Sequence, residues 1–359
     1  MLKTHISNWA KRGLTVLLFL GSIFLALLLF ELLYKNFFMH KGADIYHWDK
    51  RYMLFSDYKG GSVFKNSGSI FTYQPNSSVL AQAYYFVNGK WGKEYEYVFQ
   101  TNDFGLIQST NIDLARPNIL FLGDSFTEGH GAIPWLEEFK ANFDQNKHRF
   151  INGGILGTGF NQWELLHDQL IAQGVKIHKL VVIFISDDYS RGVWNMPEST
   201  LKCISNYKTC GRLDSFYGTP PPEELGGFLE NLKKSRSFTE DLKQLFPATY
   251  RIYKFVRGRR GDGLTYSRQT IQNFIQLYGE NLLFVHIPQK DEIVAGRISK
   301  LGLSSRKDIE DFGGTLVDGF AGCKLLLDDY HMYDGHPNAA GYKKISTCVR
   351  QAIKEKWGL

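Results

Sequence analysis

Asn118-Ile119-Leu120-Phe121-Leu122-Gly123-Asp124-Ser125-Phe126-Thr127 decides the fold. Its apolar run is too short for a helix, it ends in Gly-Asp-Ser, and helix-compatible sequence follows. A strand that stops at Gly123 puts the Ser125 hydroxyl at its carboxyl end, where an open α/β sheet presents its chemistry. By themselves these residues also describe a plain strand-to-turn junction, with Gly123 and Asp124 supplying turn chemistry and Ser125 capping the next helix. Whether Ser125 is a nucleophile depends on what the rest of the chain brings to it.

Outward from this stretch the pattern alternates. Strands are expected at 118–122, 149–152, 179–185 and 281–287, with helices near 133–143 and 161–173 between the first three. Trp163, Leu166 and Leu170 form an apolar stripe on the second helix, and Gly174 offers its stop. Alternation of this kind implies right-handed crossovers and a parallel sheet. An insert, about 190–265, separates the third and fourth strands and contains Pro220-Pro221-Pro222. A last helix, about 339–357, carries Ile345, Val349, Ala352 and Ile353 on one face.

Residues 35–116 read as a β-rich, aromatic segment expected to pack on the domain that follows. Asn88-Gly89, between Tyr84–Val87 and the alternating Tyr95–Phe99, signals a hairpin with a long second arm. Residues 1–12 are short and basic, and 13–34 are nearly all apolar, with no charge from Leu14 to Phe30. At 1.5 Å per residue this run matches a hydrocarbon thickness of about 30 Å. A cleavable signal peptide is the competing reading. It calls for a shorter apolar region and a small-x-small site, whereas Phe30-Glu31-Leu32-Leu33-Tyr34 follows here. The expectation is an uncleaved single-pass anchor with a cytoplasmic N-terminus and the remaining chain on the periplasmic or extracellular side. Lys35 and Lys41 make the charge asymmetry small, and Tyr34, Tyr46 and Trp48 fit an interfacial belt.

Composition is that of a globular protein: 43% hydrophobic, 22% charged and 15% aromatic over 359 residues. The net charge of +6 is spread along the chain, so nucleic-acid binding is not indicated. The densest basic stretch, Arg251, Lys254, Arg257, Arg259 and Arg260, reads as a solvated loop, with an anionic glycan or lipid headgroup as a secondary reading. Cys203, Cys210, Cys323 and Cys348 lack the Cys-x-x-Cys spacing of zinc or redox sites. In an exported domain Cys203–Cys210 is the preferred pair, and Cys348 reads as a buried thiol on the last helix.

A hydrolytic serine needs a base, an orienting acid and an oxyanion hole. Tyr333-Asp334-Gly335-His336-Pro337-Asn338 stands just before the last helix, and an Asp two residues before a His can meet its imidazole within one loop. Taken alone it is a turn-forming string. Asn152-Gly153-Gly154-Ile155-Leu156-Gly157-Thr158-Gly159 follows the second strand, and lacks the Lys-Ser/Thr of a P-loop. Ile185-Ser186-Asp187-Asp188 follows the third. A parallel sheet gathers these strand ends on one edge, and that convergence favours an enzyme where no single motif does. His130 is a candidate to line the cleft, Asp124 to brace the turn, His286 to be a satisfied core histidine and His331 a surface or loop residue. No cluster has metal-ligand spacing, so neither metal nor cofactor is inferred.

These blocks resemble the SGNH (GDSL-type) hydrolase superfamily, over roughly residues 117–359. Gly123-Asp124-Ser125 matches its first block, Asn152-x-Gly154-x-x-Gly157 its second, and His336 its last. The resemblance implies a flavodoxin-like three-layer α/β domain with a parallel sheet. It also implies Ser125 as nucleophile, His336 as base with Asp334 orienting it, and an oxyanion hole using the N–H groups of Ser125 and Gly157. Two departures stand out. Asp187 occupies the position where the family has an Asn donor, and an ionised carboxylate only accepts hydrogen bonds. Either Asp187 is protonated, or Asn161 substitutes, or the backbone suffices. Asp334 stands two rather than three residues before the His, a spacing similar to that of the subgroup handling acetyl groups on extracellular polysaccharides. Thr101-Asn102-Asp103-Phe104-Gly105 is similar to a stretch that precedes the catalytic domain in membrane-anchored members. The implied function is a serine esterase acting on an ester-bearing glycan or lipid, such as O-acetyl groups of a cell-surface glycan. The alternatives are an O-acyltransferase using the same triad and a non-catalytic glycan-binding or assembly component.

Overall fold

The structure, a computed structural model, describes residues 2–34, 50–144, 147–211, 214, 216–234, 246, 248–249 and 262–359. Met1–Ile45 with Ser235–Arg260 forms one compact unit, and Tyr46–Lys234 with Gly261–Leu359 forms another.

In the first unit a helix runs over Leu2–Tyr34. Its Arg12–Tyr34 stretch, with mean hydropathy 2.7, is long and apolar enough to cross a membrane. The apolar side chains from Leu14 onward stand mostly exposed, and Glu31 is the exception at 4%. Its two carboxylate oxygens accept the N–H groups of Ala248 and Thr249 at 2.8 and 2.7 Å. A carboxylate withdrawn from water in this way needs such donors. The expectations for Lys35, Lys41, Tyr46, Trp48 and the basic stretch Arg251–Arg260 lie outside the described residues.

The second unit is built on a five-stranded and a four-stranded sheet, with a separate two-stranded antiparallel ribbon. In chain order the strands are β1 (Lys50–Asp57), β2 (Phe64–Ser67), β3 (Ile70–Tyr73), β4 (Ser78–Val87), β5 (Lys90–Gln100), β6 (Asn118–Gly123), β7 (Arg149–Gly154), β8 (Ile177–Phe184), β9 (Tyr217–Gly218), β10 (Leu282–His286) and β11 (Leu316–Asp318). Strands β2 and β3 form the ribbon. The larger sheet runs β11-β10-β8-β6-β7, and every pairing in it is parallel. Counted from its own first strand this is the 2-1-3-4-5 order of a flavodoxin-like fold, with the switch point between β6 and β8. Strand β6 shows why its sequence is continuously apolar. Leu120 and Leu122 face a core with Trp163, Leu166 and Leu170 of the helix Phe160–Ala172. Ile119 and Phe121 face a second core with Phe139, Ile345, Val349 and Ile353. Helices thus cover both faces, and the terminal one spans Ala339–Trp357 as expected. Strand β11 went unanticipated because three partly exposed residues show neither an apolar run nor alternation.

The smaller sheet runs β5-β4-β1-β9. Asn88 and Gly89 join β4 to β5 with φ of 49° and 81°, the left-handed pair that a tight hairpin requires. The last strand comes from the long insert: Leu54 of β1 pairs in parallel with Tyr217 of β9. Met53, Phe55, Tyr73, Tyr85 and Phe99 share one continuous core with Leu120 and Trp163. One face of the N-terminal sheet thus shares the core of the larger sheet, while Tyr52, Leu54 and Tyr84 on its other face pack in a separate cluster with Cys203, Tyr217, Leu229 and Leu232.

Cys203–Cys210 is a disulfide, as the spacing suggests. The reading of Cys348 as a thiol is corrected: it is bonded to Cys323, at a Cα–Cα distance of 4.9 Å. Cys323 caps the short helix after β11 and so meets the terminal helix, a contact 25 residues away in sequence that no local pattern announces.

Candidate active site

At the end of β6 the chain turns where only glycine fits. A Cβ on Gly123 would lie 1.9 Å from Thr127 Oγ1 and 2.4 Å from the Ile183 carbonyl. Asp124, fully buried, then caps the helix Ser125–Glu128 by accepting the Phe126 N–H at 2.9 Å. That turn presents Ser125 at the carboxyl edge of the parallel sheet. His336 reaches the same edge from the loop before the terminal helix, and its Nε2 lies 2.8 Å from Ser125 Oγ. On the other side of the ring, His336 Nδ1 lies 2.7 Å from Asp334 Oδ1. The line Asp334–His336–Ser125 is continuous, and Asp334 is 1% exposed at its buried end. Burial works to raise the Asp334 carboxyl. His336 beside it, the hydrogen bond between them and the Arg51 guanidinium outweigh burial and hold it well below the usual carboxylate range.

The glycine loop after β7 passes close to this turn. A Cβ on Gly154 would sit 2.2 Å from the Glu128 N, and Gly157 adopts φ +71° with its carbonyl accepting Trp194 Nε1 at 3.0 Å. Among the described residues no protein hydrogen bond engages the N–H of Ser125 or of Gly157. Asp187 is exposed, and it pairs with Gln289: its N–H donates to Gln289 Oε1 at 3.2 Å and its carboxylate accepts Gln289 Nε2 at 3.1 Å. Asn161 lies near the start of the helix Phe160–Ala172, where its Oδ1 accepts the Thr270 hydroxyl at 3.3 Å. Neither makes a hydrogen bond to Ser125, His336 or Asp334 among the described contacts.

Several residues that sequence reasoning passed over complete the site. Arg191 Nη1 donates to Asp124 Oδ2 at 2.9 Å, to the Thr158 carbonyl at 3.0 Å and to Asp188. It thereby ties together the chain ends of β6, β7 and β8. Asp188 is fully buried, and burial with the nearby Asp124 charge pushes its carboxyl well up, against the pull of Arg191. Tyr95 of β5 donates its hydroxyl to Asp334 Oδ2 at 2.5 Å. Lys290 Nζ donates to the carbonyls of His331 and Met332, both at 2.7 Å, holding the loop that carries the acid. These partners lie up to 239 residues from the groups they hold, so their role has no signature in local sequence.

His130 is buried, with its ring centroid 4.6 Å from that of His336. Its Nδ1 lies 3.0 Å from the Tyr97 hydroxyl and 3.4 Å from Glu128 Oε1. Burial, then the neighbouring His336, lowers its pKa. His286 is the satisfied core histidine expected, bonded to Ser186 Oγ and Arg306 Nε and held down to about 3 by burial. His331 is in a loop as expected, half-buried there: it packs on Tyr95 and meets the Gly131 carbonyl at 3.0 Å. His130, Asp334 and His336 bring ligand-type atoms within 4.8 Å of one another. Both nitrogens of His336 and both oxygens of Asp334 are already engaged by Ser125, Tyr95 and each other, which leaves that set poorly disposed to hold a metal.

No family model and no curated protein matches the chain. Among solved structures it is similar to a protein from Lactobacillus plantarum (14% identity, 67% of this chain and 97% of that one, TM-score 0.37). A member of the lipolytic protein G-D-S-L family from Veillonella parvula gives 12% identity over 67% and 99%, TM-score 0.34. A variant of Axe2, an acetyl xylan esterase from Geobacillus stearothermophilus, gives 13% over 67% and 94%, also with TM-score 0.34. Likeness at this level says nothing about chemistry, which rests on the residues of the site.

Proposed function

We propose that the chain is a serine-dependent ester hydrolase of the SGNH type. The observation that carries the reading is the unbroken hydrogen-bond line from Asp334 through His336 to Ser125 on the carboxyl edge of a flavodoxin-like sheet. Ser125 Oγ attacks the ester carbonyl as its proton passes to His336 Nε2. Asp334 fixes the tautomer, with Nδ1–H toward its own oxygen, and stabilises the imidazolium that forms. The N–H groups of Ser125 and Gly157 are assigned to the oxyanion. His336 returns the proton to the departing alkoxide, and water, activated by the same imidazole, then releases the acyl group from Ser125. Asp187 is given no donor role, since its carboxylate is committed to Gln289.

The helix Arg12–Tyr34 is read as an uncleaved anchor with a cytoplasmic N-terminus. Two disulfides support an extracytoplasmic catalytic unit, because cytosolic thiols stay reduced. A unit tethered there meets cell-surface material, and O-acetyl groups of a surface glycan are the proposed substrate. Full-length protein in detergent should be labelled at Ser125 by a fluorophosphonate probe and should hydrolyse p-nitrophenyl acetate. Absence of both in folded protein removes the reading. Release of acetate from an O-acetylated polysaccharide tests the substrate, diversion of the acetyl group to an added oligosaccharide would make the protein a transferase, and resistance to alkaline extraction tests the anchor.

A further inference from the structure

Asp334 belongs to the α/β domain, yet groups of the N-terminal sheet hold its carboxylate. Tyr95 of β5 donates to Oδ2 at 2.5 Å while Oδ1 takes the His336 side. Arg51 of β1 brings Nη1 to 3.7 Å from Oδ1. Next to Tyr95, Glu94 accepts the Tyr333 N–H at 2.6 Å and so pins the residue before the acid. Tyr95 and Asp334 are both buried, so no water stands ready to replace the hydroxyl.

We propose that Tyr95, seconded by Arg51, is a positioning residue for the triad: the N-terminal sheet fixes the Asp334 carboxylate and sets how strongly it draws the proton on His336. The proposal rests on the triad reading given above. A buried carboxylate that loses a donor is costly, and the group turns or gathers charge to relieve it. The Tyr95 hydroxyl is a dependable donor because burial, then the charge of Asp334, hold its pKa well above the ordinary tyrosine range. Besides these residues and Glu94, the charged or titratable groups facing Asp334 and His336 among the described residues are Tyr85 of β4, Tyr97 of β5, His130, Lys290, His331 and Tyr342. Replacing Tyr95 by Phe removes one hydrogen bond and changes no formal charge.

The sign follows from the chemistry. With the Tyr95 hydrogen bond gone, Asp334 carries more charge toward Nδ1–H, the imidazolium is favoured, and the neutral base appears only at higher pH. Loss of Arg51 acts in the same direction, more weakly because 40% of its side chain meets solvent and salt screens it.

The test is the rate of fluorophosphonate labelling of Ser125 in full-length, detergent-solubilised protein between about pH 5 and 9. Tyr95→Phe is expected to label roughly 10- to 100-fold more slowly at neutral pH. Its acid limb should move upward by about half a pH unit or more. Arg51→Gln should shift the limb in the same direction by less, and added salt should shrink the difference from wild type. Thermal midpoints confirm that both variants are folded. Slower labelling by one factor at every pH, with the limb in place, makes Tyr95 a packing residue and overturns the proposal, as does labelling like wild type. Failure of wild-type Ser125 to label is a different result. It removes the triad reading and this proposal with it.

Discussion

Two histidine–carboxylate pairs stand side by side in this molecule, with their rings 4.6 Å apart. His336 and Asp334 are 2.7 Å apart, and the imidazole's far nitrogen reaches Ser125. His130 and Glu128 are 3.4 Å apart; His130 is 3% exposed, and Glu128 Oε2 meets no hydrogen-bond partner among the described residues. Each is an imidazole beside a carboxylate, and the surroundings differ. Asp334 has both oxygens engaged and a guanidinium nearby, so it stays ionised and can stabilise an imidazolium. His130 lies in a place where burial, then its charged-when-protonated neighbour, keep it neutral. A histidine beside an acid is therefore not by itself a base. It becomes one where the acid is satisfied and the free nitrogen meets a nucleophile.

The comparison breaks most visibly at the first pair. Ser125→Ala or His336→Ala should reduce hydrolysis of p-nitrophenyl acetate by roughly 10⁴- to 10⁶-fold, with the double variant little worse than either single one. Additive losses would show that the two side chains do not act as a unit. Asp334→Asn keeps the shape but offers the wrong group to Nδ1, and a loss of about 10⁴-fold is expected. A loss of less than about 10-fold would mean that Asp334 is a loop brace and nothing more.

At the second pair the expected effects move from rate to stability. His130→Phe keeps a ring against His336 but strands the buried Glu128. The loss of stability should be on the order of 1–3 kcal/mol in chemical denaturation, with activity reduced by less than about 10-fold. Adding Glu128→Gln should recover part of that stability. Should His130→Phe instead abolish labelling of Ser125 in a folded protein, the two pairs are not distinct in role and His130 belongs to the catalytic machinery.

What could be read from the sequence follows the range of the interactions involved. Strands β6, β8 and β10 announce themselves because burial on both faces leaves them apolar runs, whereas β7 offers only Phe150 and Ile151 before its Asn-Gly-Gly. The Asn88-Gly89 turn and the Asp334/His336 loop are local, and their chemistry is written within a few residues. Ser125 and His336, 211 residues apart, are paired by their resemblance to the first and last SGNH blocks, a pairing that a parallel sheet collecting its strand ends on one edge makes reasonable. Tyr95, Arg191 and Lys290 had no comparable rule. Each is an ordinary surface-type residue in sequence, and its burial comes from packing of one sheet on another or of one loop on the next. The Cys323–Cys348 bond was hidden for the same reason, as was the entry of Tyr217–Gly218 into the N-terminal sheet.

The smallest expected effect concerns pH and a third histidine. His331 packs on Tyr95 beneath the loop that carries Asp334, and burial holds it down to about 4. An unfolded chain protonates the same imidazole near 6.5. Below that value the unfolded state binds the proton that the folded state refuses, so stability falls as pH drops from about 6.5 toward about 4 and then levels off for this group. His331→Gln keeps an N–H donor for the Gly131 carbonyl and removes the titration. Between pH 7 and pH 4.5, urea midpoints of wild type should fall further than those of His331→Gln, by a difference on the order of 1–3 kcal/mol. His130 and His286 are held down in the same direction, and Asp334 loses its own stabilisation only at still lower pH. Those contributions remain in both proteins and cancel in the difference. Equal falls would show that His331 gains enough solvent or carboxylate contact on protonation to escape the cost, and that the loop over Tyr95 opens more easily than its packing implies.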